Sequence, residues 1–223
     1  MLEKVFFLVS GENPTLTTAE VKAILEAERI KYASLSESTG LLQFDGPTGC
    51  IDKVVARSLM CKAGGIMMFQ CRHDLDAIAK GVSQTDLSIY LSRGETFAVR
   101  VKRIGESRGA PRRLDIERFL GHHISTRTMA RVSLTLPSKV FLGVISGSRF
   151  TLGLLRRVRA RGEVASRRPR ARPAFHPATM QPKLARCLVN LSRAREGGVF
   201  LDPFCGVGGI LMEAGLMGCA VVG

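Results

Sequence analysis

The sequence has 223 residues, of which 45% are hydrophobic, a composition that fits one or two folded domains rather than a disordered chain. Its formal net charge of +14 arises almost entirely between residues 100 and 172, where 19 basic residues face 4 acidic ones. An arginine bias of composition would spread over the whole chain. The concentration therefore favours a polyanionic partner, nucleic acid first of all, over a solvated basic surface.

Several other classes of protein do not fit. The first residues, Met-Leu-Glu-Lys-Val-Phe-Phe-Leu, hold an acid and only a short apolar run, unlike a signal peptide. No uncharged apolar stretch reaches the length of a membrane span. The six cysteines form neither a Cys-x-x-Cys pair nor a Cys/His metal spacing. We therefore expect free thiols in a cytoplasmic protein, with no membrane and no metal among its partners.

The first 70 residues predict a β-α-β-β-α-β order, which is the ferredoxin-like arrangement. Thr17 and Glu20 have the spacing of a capping box at the start of the first helix. No cluster of titratable side chains is evident in this part, so we interpret it as scaffold. The predicted strands cover residues 4–9, 30–35, 40–44 and 66–69, and the predicted helices begin near residues 16 and 48.

The next segment combines a strand with an arginine-rich loop. In the strand predicted over 96–103, Phe97, Val99 and Val101 share one face, and charged residues occupy the other. The elements predicted around it are a helix over 74–82, a helix from residue 114, a strand over 131–136 and a hairpin of 140–145 with 150–157. The candidate RNA-contacting residues are Arg100, Lys102, Arg103, Arg108, Arg112 and Arg113.

Residues 159–174 are so rich in arginine and so aperiodic that we predict a basic linker between domains. The helix that follows is expected to be capped by Thr179, with Pro182 in its first turn. Leu184, Leu188 and Leu191 have the spacing of its buried stripe.

Residues 199–215 predict a buried strand, a glycine turn and a helix. Glycines in such a turn let the backbone bend sharply and let a ligand approach without meeting a Cβ atom. An acidic residue at the end of the strand suits a ligand with an amino group better than a pyrophosphate, which points to S-adenosylmethionine. The candidate cofactor-binding residues are Asp202, Pro203, Phe204, Cys205, Gly206, Gly208 and Gly209.

The string Asp-Pro-Phe-Cys-Gly-Val-Gly-Gly at 202–209 resembles motif I of the RNA and DNA amino-methyltransferases, and residues 175–186 resemble their motif X. The order of elements in 71–158 resembles the THUMP domain, an RNA-binding module. Together these features resemble the archaeal and eukaryotic tRNA guanine-N2 methyltransferases. The resemblance implies transfer of a methyl group from S-adenosylmethionine to the exocyclic N2 of a guanosine in tRNA, without a metal.

The implied fold is an α+β N-terminal ferredoxin-like domain plus a THUMP domain, followed by the truncated start of an α/β Rossmann-like methyltransferase domain. The implied boundaries are 1–70, 71–158, a basic linker at 159–174, and 175–223. The chain departs from the family at Val207, where a small hydroxyl residue is usual. It also contains no Asp-Pro-Pro-Tyr or Asn-Pro-Pro-Tyr motif, so we assign no catalytic residue.

Because roughly two of the strands of such a sheet are present, we expect this chain alone to bind tRNA without methylating it. One alternative is a non-catalytic tRNA-binding protein, or one subunit of a split methyltransferase whose sheet a separate polypeptide completes. Another is a THUMP-bearing uridine thiolation enzyme. That reading fails on motif I and on the absence of a pyrophosphate-binding Ser-Gly-Gly loop.

Overall fold

The computed structural model describes residues 2–160, 162, 164–171 and 179–223. Within these residues the chain forms ten strands and six helices. The strands are β1 (Glu3–Val9), β2 (Ala33–Ser38), β3 (Leu41–Gly46), β4 (Cys61–Arg72), β5 (Thr96–Ile104), β6 (Arg131–Val132), β7 (Lys139–Ser146), β8 (Arg149–Val158), β9 (Val199–Leu201) and β10 (Ala220–Val222). The helices are α1 (Pro14–Ala27), α2 (Cys50–Arg57), α3 (Leu75–Gln84), α4 (Arg113–Thr128), α5 (Pro182–Leu191) and α6 (Gly209–Gly215).

Eight strands form one continuous sheet in the order β2-β3-β1-β4-β8-β7-β5-β6. The predicted β-α-β-β-α-β order of the first elements is present, with β2, β3, β1 and β4 as antiparallel neighbours. Strand β4 runs on to Arg72 and pairs antiparallel with β8 from Ala63 to Arg72. This long pairing joins the N-terminal elements to those that follow them in a single sheet.

Helices α1 and α2 cover one half of this sheet, and α3 and α4 cover the other half. The core beneath α1 and α2 is built around Phe7, Phe44 and Ile51, all fully buried. The core beneath α3 and α4 is built around residues such as Phe97 and Phe150. In β5 the expected alternation is confirmed, because Phe97, Val99 and Val101 are buried while Arg100 and Lys102 are exposed.

The other face of the sheet curls onto itself and forms a third core around Phe6. The Phe6 ring lies where Cβ atoms of Gly65 and Gly153 would stand, at 2.7 and 2.4 Å from those ideal positions. At the edge of this core, the Ser146 hydroxyl at the end of β7 donates a hydrogen bond to the Thr39 carbonyl, between β2 and β3, at 3.2 Å. The glycines are therefore needed for close approach of this ring rather than for a turn.

The local structure corrects several sequence-based expectations. The predicted capping box is wrong: α1 begins at Pro14, the Thr17 hydroxyl donates to the Asn13 carbonyl at 3.1 Å, and Glu20 is buried away from the helix end. The helix expected to begin near residue 48 begins at Cys50 and already ends at Arg57, because β4 begins at Cys61. The strand expected over 131–136 covers two residues, and the hairpin of β7 and β8 is confirmed.

The C-terminal elements form a separate two-stranded parallel sheet of β9 and β10 with α6 between them. Helix α5 packs against α1 on one side and α6 on the other. Its predicted inner stripe is wrong, because Leu184 is exposed and the deeply buried positions include Ala185, Val189 and Asn190. A helix packed on two sides buries two stripes, and a single heptad-like leucine pattern does not reveal both. The residue at the cap position is Gln181 rather than Thr179, and the Gln181 side chain forms no capping hydrogen bond.

Candidate functional site

The predicted glycine turn lies between the end of β9 and the start of α6. The Asp202 backbone N–H donates to the Val222 carbonyl at 2.9 Å, which anchors the turn to β10. Asp202 Oδ1 accepts a hydrogen bond from the Phe204 N–H at 3.1 Å. This bond fixes the carboxylate at the strand end, half-exposed, while the Phe204 side chain is 92% exposed. The turn therefore presents an oriented acid to an open surface.

Two glycines of the turn have backbone conformations that other residues rarely adopt. Gly206 and Gly208 have φ of +52° and +71°. No heavy atom lies within 4 Å of the position that a Cβ would occupy at either residue. The Gly208 N–H donates to the Cys205 carbonyl at 2.8 Å, so the turn is closed internally and α6 begins directly after it. The space above these two residues is free for a ligand to approach the backbone.

A buried ion-pair cluster connects α6 to α5 and to the segment before α5. Glu213 is fully buried, and its Oε2 accepts hydrogen bonds from the Arg186 guanidinium at 2.8 Å and from Arg167 Nη1 at 3.0 Å. Burial lowers the pKa of Arg186, and the charge of Glu213 opposes that effect. Glu213 Oε1 has no hydrogen-bond partner among the described residues. The cluster ties α5 and the segment before it to the helix that follows the glycine turn.

A second polar cluster joins α5 to the N-terminal elements. The buried Asn190 donates to Glu20 Oε1 at 2.8 Å and accepts from Arg57 Nε at 3.3 Å. Glu20 in turn accepts from the Ser58 hydroxyl at 2.5 Å, and Arg57 pairs with Glu28 at 2.7 Å. Burial raises the pKa of Glu20, although its hydrogen bonds oppose the shift. The cluster connects the C-terminal unit to the first part of the chain.

The basic stretch predicted to be a linker packs in part against the fold. Arg159 donates hydrogen bonds to the carbonyls of Val55, Ser58 and Cys61, the last at 3.2 Å. Arg167 reaches Glu213, as described above. The expectation that this stretch is too charged to pack therefore fails at these two arginines, because carbonyls and a buried carboxylate supply acceptors. Residues 161, 163 and 172–178 of this region, including the first four residues of the sequence resembling motif X, lie outside the described part of the chain.

The six candidate RNA-contacting residues are all exposed and lie on β5, on the loop after it and at the start of α4. Arg100 Nη2 donates to the Leu134 carbonyl at 2.7 Å, and Arg103 Nη2 donates to the Pro111 carbonyl at 3.0 Å. Lys102, Arg103 and Arg113 line one pocket, and Arg108 and Arg112 lie between β5 and α4. The structure thus brings three of the predicted basic residues together, while Arg100 and Arg103 also brace neighbouring loops.

The residues that the sequence interpretation missed are Glu20, Asn190, Arg186 and Glu213. Arg186 and Glu213 stand beside apolar residues at inward-facing helical positions, a signal that was present in the sequence. For Glu20 the local pattern pointed elsewhere, because its spacing from Thr17 fits a cap. Their roles depend on contacts between distant segments.

The six cysteines, all within the described residues, have free thiols. Burial raises the pKa of Cys50, Cys61 and Cys187 to about 12 in each case. Thiolate formation governs cysteine reactivity, so these three are inert at neutral pH. In the described part of the chain no group of three or more His, Cys, Asp or Glu side chains is arranged to hold a metal ion. None of the described helices has the length and apolarity that crossing a membrane requires.

Two family models match separate parts of the chain. Residues 72–155 match the THUMP domain model, and residues 169–223 match the model of an RMKL-like methyltransferase domain. The chain is 36% identical over 218 residues to the tRNA (guanine(10)-N2)-dimethyltransferase of Methanothermobacter thermautotrophicus. It is 31% identical over 230 residues to the enzyme of the same name from Methanocaldococcus jannaschii. Over almost its whole length the chain is therefore similar to proteins named tRNA (guanine(10)-N2)-dimethyltransferase, and parts of it match a THUMP domain and a methyltransferase domain.

Both alignments cover 97% of this chain but only 62% and 65% of the two relatives, so the chain spans just under two thirds of their length. Solved structures share its fold. A possible methylase from Clostridium difficile 630 matches with a TM-score of 0.64 at 13% identity, over 98% of this chain and 56% of that one. TrmN from Thermus thermophilus matches with a TM-score of 0.59 at 19% identity, over 98% and 63%.

Proposed function

We propose that this chain belongs to the THUMP-domain tRNA guanine-N2 methyltransferases. It would bind tRNA through its THUMP surface and S-adenosylmethionine at the glycine turn, as part of an enzyme that methylates the N2 amine of a guanosine. The observation that carries the proposal is the turn after β9. There an oriented Asp202 carboxylate and two positive-φ glycines face open space, within a segment homologous to named tRNA methyltransferases. The arrangement of the first four strands and two helices as a ferredoxin-like domain, with limits at 1–70, 71–158, 159–174 and 175–223, is part of the same proposal.

The residues of the turn fit the proposed cofactor. Asp202 Oδ2 accepts no hydrogen bond from the described residues and is available to the amino group of the methionine moiety. Gly206 and Gly208 admit the ligand close to the backbone, and Pro203, Phe204, Cys205 and Gly209 complete the turn. When bound, the cofactor supplies the electrophilic methyl group. What the chain's own residues contribute is position and electrostatic support.

The nucleic-acid surface is supplied by the six exposed basic residues of β5, its loop and α4. Two of them are already fixed by the Leu134 and Pro111 carbonyls, which lowers the conformational entropy lost when they contact phosphates. These contacts carry no sequence information, so they would position the tRNA rather than select the modified base. Selection and transfer require groups that hold the target amine, and these 223 residues lack the Asp-Pro-Pro-Tyr motif that serves the family.

The decisive experiment measures binding of a tRNA transcript to the purified chain over a salt series, with labelled S-adenosylmethionine present to detect transfer. We expect a steep loss of affinity with salt and no methyl transfer. Gly208→Val, which places a branched side chain at a positive φ, should abolish cofactor binding and leave tRNA affinity unchanged. Gly197→Val is the matched control, because Gly197 also has a positive φ but lies before β9.

Each outcome bears on a different part of the proposal. Affinity for tRNA that does not depend on salt would contradict the basic surface as the contact region. Equal cofactor binding by the Gly208→Val variant and the parent chain would contradict the glycine turn as the site. Transfer by the purified chain would contradict the expectation that it is inactive alone.

A second candidate is a tRNA-binding subunit of a split methyltransferase, whose catalytic groups come from a separate polypeptide. The observation behind it is the exposed β9–β10 sheet, where Val199 is 75% and Leu201 is 64% exposed, which leaves room for further strands of the same or of another polypeptide. Parallel strands of this kind are normally covered on both faces. Recovery of transfer activity on adding a polypeptide that carries Asp-Pro-Pro-Tyr would support this candidate.

A further inference from the structure

A basic pocket lies where the N-terminal elements meet the region of β5 and α4. Its volume is about 380 Å³, and its cations come from three elements: Lys62 on β4, Lys102 and Arg103 on β5, and Arg113 at the first turn of α4. The walls between them include Gly11 and Gly105 and the aliphatic side chains of Leu8, Val9 and Ile104. The pocket therefore exists only because the curled sheet brings β4 and the end of β5 together.

The cations of the pocket lack ion-pair partners in the part of the chain that the structure describes. Within the described residues, no acidic side chain forms an ion pair with Lys62, Lys102, Arg103 or Arg113. Two acids adjoin the pocket wall in sequence, Glu12 and Glu106. Glu12 pairs with Lys183 at 3.0 Å, and its pKa is lowered mainly by this contact and to a smaller extent by the charge of Lys62. Four like charges around one cavity repel each other unless an anion is bound between them.

The geometry narrows the anion to a phosphate group. Arg103 is held by the Pro111 carbonyl, and Arg113 stands at the N-terminal end of the 16-residue helix α4, where free backbone N–H groups and the helix dipole favour a phosphate. The cations on three elements offer more hydrogen-bond donors than the two oxygens of a carboxylate require, whereas a phosphate has more oxygens to accept them. The aliphatic wall can contact the sugar to which a nucleic-acid phosphate is attached.

We propose that this pocket holds one phosphate group of the bound tRNA, and that Lys62 of the N-terminal elements is a tRNA contact equal in weight to the predicted THUMP residues. The inference rests on the proposed tRNA-binding function and adds a site to it. The phosphate is either an internal diester or the terminal 5′-monoester, which present the same oxygens to the four cations. The N-terminal elements then take part in RNA binding directly, beyond supporting the sheet.

The test compares Lys62→Ala with Lys22→Ala in the full chain. Both remove one exposed lysine from the N-terminal elements, but Lys22 lies on α1, on the helix-covered side of the sheet. Dissociation constants for a tRNA transcript are measured between about 50 and 200 mM salt. We expect Lys62→Ala to weaken binding about tenfold and to reduce the salt slope by about one, while Lys22→Ala behaves like the parent chain. Lys62→Arg should retain parent affinity.

Equal affinities of Lys62→Ala and Lys22→Ala, with steep salt dependence retained, would overturn the pocket and leave the proposed function standing. Absence of tRNA binding by the parent chain would overturn both. Repeating the series with transcripts that carry or lack the 5′-phosphate identifies the source. If the defect of Lys62→Ala disappears with the dephosphorylated transcript, the terminal group occupies the pocket. A defect that persists assigns an internal phosphate.

Discussion

Strands β7 and β9 have similar apolar sequences but very different surroundings. Phe141 in β7 is fully buried, since the strand lies between β5 and β8 and beneath the helices. In β9 the flanking residues Val199 and Leu201 are largely exposed, because β10 is its one strand neighbour among the described residues. An apolar run therefore specifies a strand, whereas its burial depends on what the rest of the chain places beside it.

The same contrast holds for whole regions. The eight-stranded unit has three apolar cores, and the C-terminal unit has one small core around Val189, Ala214 and Cys219. The C-terminal unit is held by polar contacts through α5 instead, to Glu20 on one side and Glu213 on the other. We therefore expect apolar substitutions to dominate the stability of the first region, and charge deletions that of the second.

The largest effect on stability is expected in the third core, around Phe6. Phe6→Ala should lower the free energy of unfolding by about 3–5 kcal/mol, because it empties the space over Gly65 and Gly153 that the ring fills. Phe204→Ala removes the same atoms from a side chain that is almost fully exposed and should change stability by less than about 0.5 kcal/mol. Urea denaturation followed by circular dichroism measures both. Similar losses in the two variants would contradict the division of the molecule described above.

Removal of a cation from the C-terminal unit should have the next largest effect. Arg186→Ala leaves the fully buried Glu213 with Arg167 as its remaining partner and should destabilise α6 by about 3 kcal/mol. Hydrogen exchange should then accelerate in α6 and β10 but not in β7. Arg195→Ala, at an exposed arginine, is the control. Uniform acceleration across both regions would show that they unfold as one cooperative unit.

A smaller effect is expected where α5 contacts the N-terminal elements. Asn190→Ala deprives Glu20 of a buried hydrogen bond and should cost about 1–3 kcal/mol. A double-mutant cycle with Glu20→Ala, measured by urea denaturation, should give a coupling energy above about 0.5 kcal/mol. Strictly additive losses would indicate that the two side chains do not depend on each other.

The smallest effect concerns pH. Because burial raises the pKa of Glu20 in the folded protein, the folded state keeps this proton to higher pH than the unfolded state. The contribution of Glu20 to stability is thus complete below the ordinary glutamate pKa of about 4.3 and is lost as pH rises through the raised value. Glu20→Gln should remove this part of the pH dependence, measured as the difference in unfolding free energy between parent and variant across that interval. A gain in stability of the parent relative to the variant as pH rises through that interval would contradict the sign.

The sequence by itself determined the elements that depend on local patterns. The alternation in β5, the hairpin of β7 and β8, and the order of strand, glycine turn and helix at 199–215 are all present in the structure. These features follow from periodicity and from glycine conformations, which neighbouring residues set. The resemblance to tRNA guanine-N2 methyltransferases followed from the same turn together with the order of elements before it.

The tertiary structure alone decided how these parts meet. The pairing of β4 with β8, the burial of Glu20 and the two-sided packing of α5 connect residues separated by tens of positions in the chain. The residues around Glu20 had a plausible local role as a helix cap. Burial beside Ser58 and Asn190 overrode it, because a buried carboxylate must find partners wherever the fold provides them.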